Sequence, residues 1–314
     1  MRIAITGATG FLGKALVGRL LESGHEVSAF SRTPDRALRL LPATTRILPW
    51  KPEDLGELAD GVEGLEAVVN LAGENIGAER WTEQRKLAIL NSRVHAGRSL
   101  ALAFTQITNK PRIFVQASAV GYYGNRGEHG LEESDPPGTG FLAEVVRQWE
   151  ESVGGLPQMG IRTVSLRFGV VLGPDGGALP RMIRPFQLHL GGVPGSGRQW
   201  ISWVHLQDAV SAILHGLGNP AMSGAYNACA PGMLPAREFY GILGKVLKRR
   251  CWMPMPARLL DLVLGEMAEE LVLWGQKVHS DRLEEAGFKF AHPELEPALR
   301  QILDHGRSLG GRPS

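Results

Sequence analysis

The chain has 314 residues, of which 43% are hydrophobic and 21% charged, so it has the composition of a globular protein and not of a disordered one. Lys and Arg number 34 against 32 Asp and Glu, and a formal charge of +2 gives no bulk electrostatic argument for nucleic acid or for an anionic membrane. Two cysteines, Cys229 and Cys251, with no CxxC spacing, argue against a disulfide framework and a structural zinc site.

The chain opens directly on an apolar run, Arg2–Thr6, read as a first strand. Leu12, Ala15, Leu16 and Leu20 then share one helical face up to Gly24, which suits a helix end. Glu26–Phe30, Arg46–Leu48 and Ala67–Leu71 read as further strands, and Thr82–Phe104 as a long helix. Arg112–Ser118 is the next strand, Gly140–Ser152 a helix and Arg162–Phe168 the sixth strand. Strands alternating with helices predict an α/β fold with a doubly wound parallel sheet.

Residues 169–204 are rich in Gly and Pro and show few clear elements, although Trp200–His205 alternates like a strand. Leu206–Leu217 and Ala236–Leu247 are expected helices, and Ala257–Leu273 is apolar at helical spacing. A final helix is expected from Pro293. The expected division is a first unit over 1–168, built on the parallel sheet, and a smaller α/β unit over 169–314, with segment 206–229 returning to the sheet. The longest uncharged stretch, Val210–Ala236, is broken by seven Gly and Pro residues and does not suit a membrane helix. No signal-peptide pattern is present, and a soluble cytoplasmic protein is expected.

Thr6-Gly7-Ala8-Thr9-Gly10-Phe11-Leu12-Gly13 joins the first strand to the first helix. In that context glycines serve distinct ends: Gly7 a tight turn, Gly10 close approach of a pyrophosphate to backbone, and Gly13 helix–strand packing. The helix N-terminus offers free N–H groups and its dipole to the phosphates. The second strand ends in Ser31-Arg32, where an NAD site usually carries an acid. A hydroxyl and a guanidinium suit a 2′-phosphate, and hence NADP(H). The alternative is that Arg32 is a solvated cation and Asp35 supplies the acid.

These residues, with Asn70-Leu71-Ala72-Gly73, resemble the extended short-chain dehydrogenase/reductases. Gly73-Glu74-Asn75, Asn91-Ser92-Arg93-Val94, Ala117–Gly124, Trp149-Glu150, Gly169–Gly173, Gly195–Gln199 and Trp203-Val204-His205 are similar to an atypical branch of it, the epimerase family proteins. Pro254–Ala257 and Glu285–Phe288 resemble that branch's C-terminal segment of unassigned function. The resemblance implies a Rossmann-type domain that binds NADP(H). It implies that Gly7, Thr9, Gly10, Phe11, Leu12 and Gly13 hold the pyrophosphate and that Ser31 and Arg32 hold the 2′-phosphate. Leu71, Ala72 and Gly73 would line the ribose, Arg93 would face the phosphates, and Val171 would approach the nicotinamide amide.

One departure bears on chemistry. Members of the superfamily use a Tyr and, four residues on, a Lys that tunes the phenol. Tyr122, Tyr123, Tyr226 and Tyr240 are followed at that spacing by Arg126, Gly127, Ala230 and Gly244. Where the helix should carry the pair stand Phe141 and Val145, neither of which moves a proton. Ser118, at the end of the fifth strand, and Tyr122, just beyond, are the nearest replacements by position. The alternative is that Ser118 caps a loop and Tyr122 packs the turn. The expected activity is oxidoreduction or epimerisation of a small molecule held between the two units. Its rival is a non-catalytic NADP(H)-binding protein. A homodimer is kept open as the assembly.

Overall fold

A computed structural model describes residues 1–309. Seven strands form one sheet: β1 (Arg2–Thr6), β2 (Glu26–Ser31), β3 (Arg46–Pro49), β4 (Ala67–Asn70), β5 (Ile113–Ala119), β6 (Arg162–Phe168) and β7 (Gly224–Ala228). Their order is β7-β6-β5-β4-β1-β2-β3, and every pairing is parallel. β1 therefore lies between β2 and β4, and the winding reverses beside it. That switch point opens a crevice at the carboxyl ends of β1 and β4, where such sheets take their ligands.

Helices cover both faces, which is why the strands are almost continuously apolar. Five lie within the first half: α1 (Phe11–Glu22), α2 (Pro34–Leu40), α3 (Leu55–Val62), α4 (Glu83–Gln106) and α5 (Phe141–Glu151). Three more follow: α6 (Leu179–Gln187), α7 (Leu206–Gly218) and α8 (Ala236–Leu247). Leu16 and Leu20 of α1 and Val210 and Ile213 of α7 pack on one face with Ile3, Ile5, Val115 and Leu166. On the other face Leu58, Leu100 and Phe104 pack with Ala4, Val68 and Phe114. Each of the larger apolar side chains named stabilises the fold by about 1.5–3 kcal/mol through burial. A second core joins α6 and α8 around Phe186, Trp203, Phe239 and Leu243.

The structure differs from the sequence expectations in several places. The stretch 169–204 is well ordered into elements: Val170–Gly173 pairs in parallel with Trp203–His205, and α6 lies between them. Prolines at 180 and 185 concealed α6. Pro180 sits in the first turn, where its missing N–H costs nothing, and Pro185 lies near the end of the helix. The alternating run at 200–205 is two pairings rather than one strand. Trp200–Ile201 runs antiparallel to Leu234–Pro235, and Ser202 interrupts by donating to the Gln276 carbonyl at 2.6 Å. The expected helix over 257–273 is α9 (Ala257–Leu264), ended by Gly265 at φ +64°, followed by a separate wider turn over Glu269–Leu273.

Candidate functional site

The glycine-rich turn is built almost wholly from backbone constraints. Gly7 stands at φ +67°, and a Cβ there would lie 2.4 Å from the Leu71 carbonyl oxygen. A Cβ at Gly13 would lie 2.3 Å from the Gly7 carbonyl oxygen. These two glycines are thus required by the protein's own packing. Gly10 is different. It is exposed, has ordinary extended backbone at φ −74° and ψ 176°, and only the Gly7 oxygen, at 3.1 Å, would approach a Cβ. A Cβ there would press on that one backbone oxygen alone, so Gly10 is less constrained than Gly7 or Gly13, and its exposure fits close approach by a ligand. α1 begins at this point with no side-chain cap and no acidic residue in its first turn. Its first N–H groups and dipole are left for an anion.

The other turn residues have mixed surroundings. Thr9 and Leu12 are half-buried. Phe11 sends its ring into the hairpin at 173–177, where Cβ atoms on Gly173, Gly176 or Gly177 would come within 2.7–3.0 Å of it. Val171 is half-buried and pairs with Val204 beside this hairpin. Leu71 donates its N–H to the Thr6 carbonyl, and Ala72 donates to Asn70 Oδ1. Beneath them a buried row fixes the carboxyl edge: Thr6 Oγ1 donates to Asn70 Oδ1 at 2.5 Å, and Asn70 Nδ2 donates to Gln116 Oε1 at 2.9 Å.

At the tip of β2, Ser31 Oγ accepts from the Thr33 N–H at 3.2 Å. Arg32 reaches outward and pairs with Glu74 at 3.2 Å. Asp35 lies in the first turn of α2, beyond the strand tip. Arg93 on α4 lies against Gly73, whose Cβ would come 2.9 Å from its guanidinium carbon. It donates to the Ile89 carbonyl and stacks over Trp149 at 5.1 Å. Burial pulls its pKa down to about 10. Among the described residues no carboxylate forms a salt bridge with Arg93, and a desolvated cation of this kind fits an incoming phosphate.

At the carboxyl ends of β5, β6 and β7, Ser118, Arg167 and Asn227 stand in register across neighbouring strands. Ser118 Oγ donates to Glu150 Oε1 at 2.5 Å. Arg167 grips both oxygens of Glu150 at 2.8 Å and donates to the Tyr123 hydroxyl at 3.0 Å. Tyr123 in turn donates to Asn227 Oδ1 at 2.7 Å, and Glu133 accepts the Asn227 N–H. Burial opposes the charge on Arg167, yet Glu150 and Tyr123 hold its pKa above the ordinary arginine value. Burial pushes the Tyr123 phenol up to about 12. The Tyr122 ring covers Arg167, with the guanidinium carbon 3.5 Å from its centroid.

Phe141 and Val145, expected from the resemblance to stand where the superfamily carries its Tyr and Lys, are engaged in packing. Val145 is buried, and Phe141 meets Trp81 edge-on at 4.9 Å with Lys86 Nζ 5.5 Å from its centroid. The start of α5 is capped from far along the chain: Glu270 accepts the N–H groups of Phe141 and Leu142, both at 2.7 Å.

Residues 3–229 match the NAD dependent epimerase/dehydratase family, and residues 255–302 match a domain of unknown function, DUF1731. The chain belongs to the NAD dependent epimerase/dehydratase family. Among its members, human epimerase family protein SDR39U1 is 35% identical over 306 residues, covering 96% of this chain and 100% of that protein. YfhF of Bacillus subtilis is 38% identical over 304 residues, covering 96% and 98%. The crystal structure of human SDR39U1 (isoform 2) with NADPH superposes with a TM-score of 0.87 at 35% identity, covering 97% of this chain and 99% of that one. MoeE5 in complex with UDP-glucose and NAD shares the fold, with a TM-score of 0.79 at 23% identity over 99% and 100% of the two chains. No helix among the described residues is long and apolar enough to cross a membrane.

For a member of this family the unforeseen residues are Glu74, Glu150, Arg167, Asn227 and Glu270. Arg167 had a readable signal, a charge near the buried carboxyl end of β6. Glu270 had none, because it acts across 129 positions of sequence.

Proposed function

We propose that this chain binds NADP(H) across the carboxyl edge of its sheet and uses it in oxidoreduction or epimerisation of a small molecule. The start of α1 carries the reading: a helix N-terminus at the exposed Gly10, with no side-chain cap and no acidic residue in its first turn. NADPH in the human relative's structure supports the same nucleotide here. The turn from Gly7 to Gly13 binds the pyrophosphate through N–H groups. Ser31 and Arg32 hold the 2′-phosphate, Leu71 to Gly73 line the ribose, Arg93 faces the phosphates, and Val171 lies toward the nicotinamide. When bound, the nucleotide supplies or takes up hydride at its nicotinamide ring.

Proton transfer is assigned to Tyr122. Its ring lies over the Arg167 guanidinium, with 3.5 Å from the guanidinium carbon to the ring centroid, and that cation holds the ring at the carboxyl edge of the sheet. Ser118 is a weaker candidate because its proton is directed at Glu150. Phe141 and Val145 favour the second reading, a protein that binds NADP(H) without turnover. Stopped-flow NADPH oxidation against a panel of carbonyl compounds separates the two. Turnover that falls by about 10²–10⁴-fold in Tyr122→Phe supports the assignment. Full activity in that variant removes Tyr122 from the chemistry. Tight binding with no turnover on any compound favours the second reading.

A further inference from the structure

The guanidinium assigned to the 2′-phosphate already has an anionic partner. Glu74 Oε1 accepts from both Nη atoms of Arg32 at 3.2 Å. Glu74 is the anchored member of the pair. Its N–H is held by Ser92 Oγ at 3.0 Å, and its other oxygen meets Arg85 Nη1 at 3.4 Å. Arg85 is itself fixed to the Asn75 carbonyl at 2.7 Å. Arg32, at 73% side-chain exposure against 29% for Glu74, is the member free to swing.

A 2′-phosphate brought to Arg32 therefore meets a carboxylate on the same guanidinium. Two anions sharing one cation repel, and the incoming one must displace or crowd the resident one. A nucleotide without the 2′-phosphate meets no such competition. We propose that Glu74 is a specificity-determining residue: it compensates Arg32 in the free protein and so limits the affinity for 2′-phosphorylated nucleotides. This rests on the NADP(H) reading of the site.

Calorimetric titration of the full chain with NADPH and with NADH tests it. Glu74→Gln keeps an acceptor for Arg32 and removes the charge. It is expected to tighten NADPH about five-fold, the scale of an exposed ion pair, and to leave NADH within about two-fold. In an Arg32→Ala background the gain should vanish. Unchanged or weaker NADPH binding, or equal tightening of both nucleotides, overturns the proposal. Should Glu74→Gln not fold, Glu74→Asp is measured instead; its shorter reach releases Arg32 and must shift NADPH in the same direction. A wild-type chain that binds neither nucleotide overturns the cofactor reading as well. A wild-type preference for NADPH that Glu74→Gln leaves untouched overturns only the role of Glu74.

Discussion

The two ends of the crevice are made of different materials. The β1–α1 turn is shaped by backbone: Gly7 and Gly13 have no room for a Cβ, and one on the exposed Gly10 would approach a single backbone oxygen at 3.1 Å. At the ends of β5, β6 and β7, the fold instead invests in buried side chains, with Ser118, Glu150, Arg167, Tyr123 and Asn227 hydrogen-bonded in one network. A backbone device can be tested by adding atoms without removing any contact. A side-chain network cannot be touched without leaving a partner stranded. At the first end only Gly10 of the three glycines can be changed with the fold expected to survive, whereas a substitution in the buried network of the second end also costs stability.

The largest effect is expected at the network. Arg167→Met leaves Glu150 partly buried without its cation, and breaking such a pair costs about 3–5 kcal/mol. Urea denaturation should show that loss. A stability unchanged within error would mean that the network is dispensable and the two ends are less different than described.

Gly10→Val probes the opposite end. Its backbone angles are allowed for valine, so the fold should survive while the branched side chain fills the space before the helix N-terminus. NADPH affinity is expected to drop by about a hundred-fold or more, as for loss of charge-assisted phosphate contacts. Native circular dichroism with wild-type affinity would remove this turn as the phosphate site. Gly13→Val should instead lower stability itself, because its Cβ meets the Gly7 oxygen at 2.3 Å.

Smaller effects sharpen the contrast. Glu270→Ala uncaps α5 and should cost about 1–2 kcal/mol in thermal or chemical denaturation, with nucleotide binding kept. Glu133 gives a pH signature. Burial, first among its influences, raises its carboxyl above the ordinary value of 4.5. The folded state then binds the proton more tightly than the unfolded state. Its contribution is fully present below pH 4.5 and is lost as pH rises through the raised value. Melting curves of wild type and Glu133→Gln across that range should diverge in that sense, whereas parallel curves would mean that Glu133 titrates normally.

Much of the first end was legible because local rules dictate it. Arg2–Thr6 followed by Gly7, Gly10 and Gly13 gives strand, turn and helix without reference to distant residues, and the alternation through Phe168 gives the parallel sheet. Tyr122 and Ser118 could be placed at the sheet edge, but not given their partners. Glu150 and Arg167 reach them only through strand register and helix packing. Similarly, Arg32 could be read as a cation at the tip of β2, while Glu74, 42 positions away, could not be read as its counter-charge. The prolines of α6 misled for a physical reason: a proline signals a break unless it falls in the first turn or near a helix end.

The proposed function turns on selection of a 2′-phosphorylated nucleotide at the tip of β2. Titration of wild type and Arg32→Ala with NADPH and NADH tests it most directly. Wild type is expected to prefer NADPH, and Arg32→Ala to lose about 10–100-fold in NADPH affinity, the worth of a charge-assisted contact, with little change for NADH. Equal losses for the two nucleotides, or a wild type that prefers NADH, would contradict it.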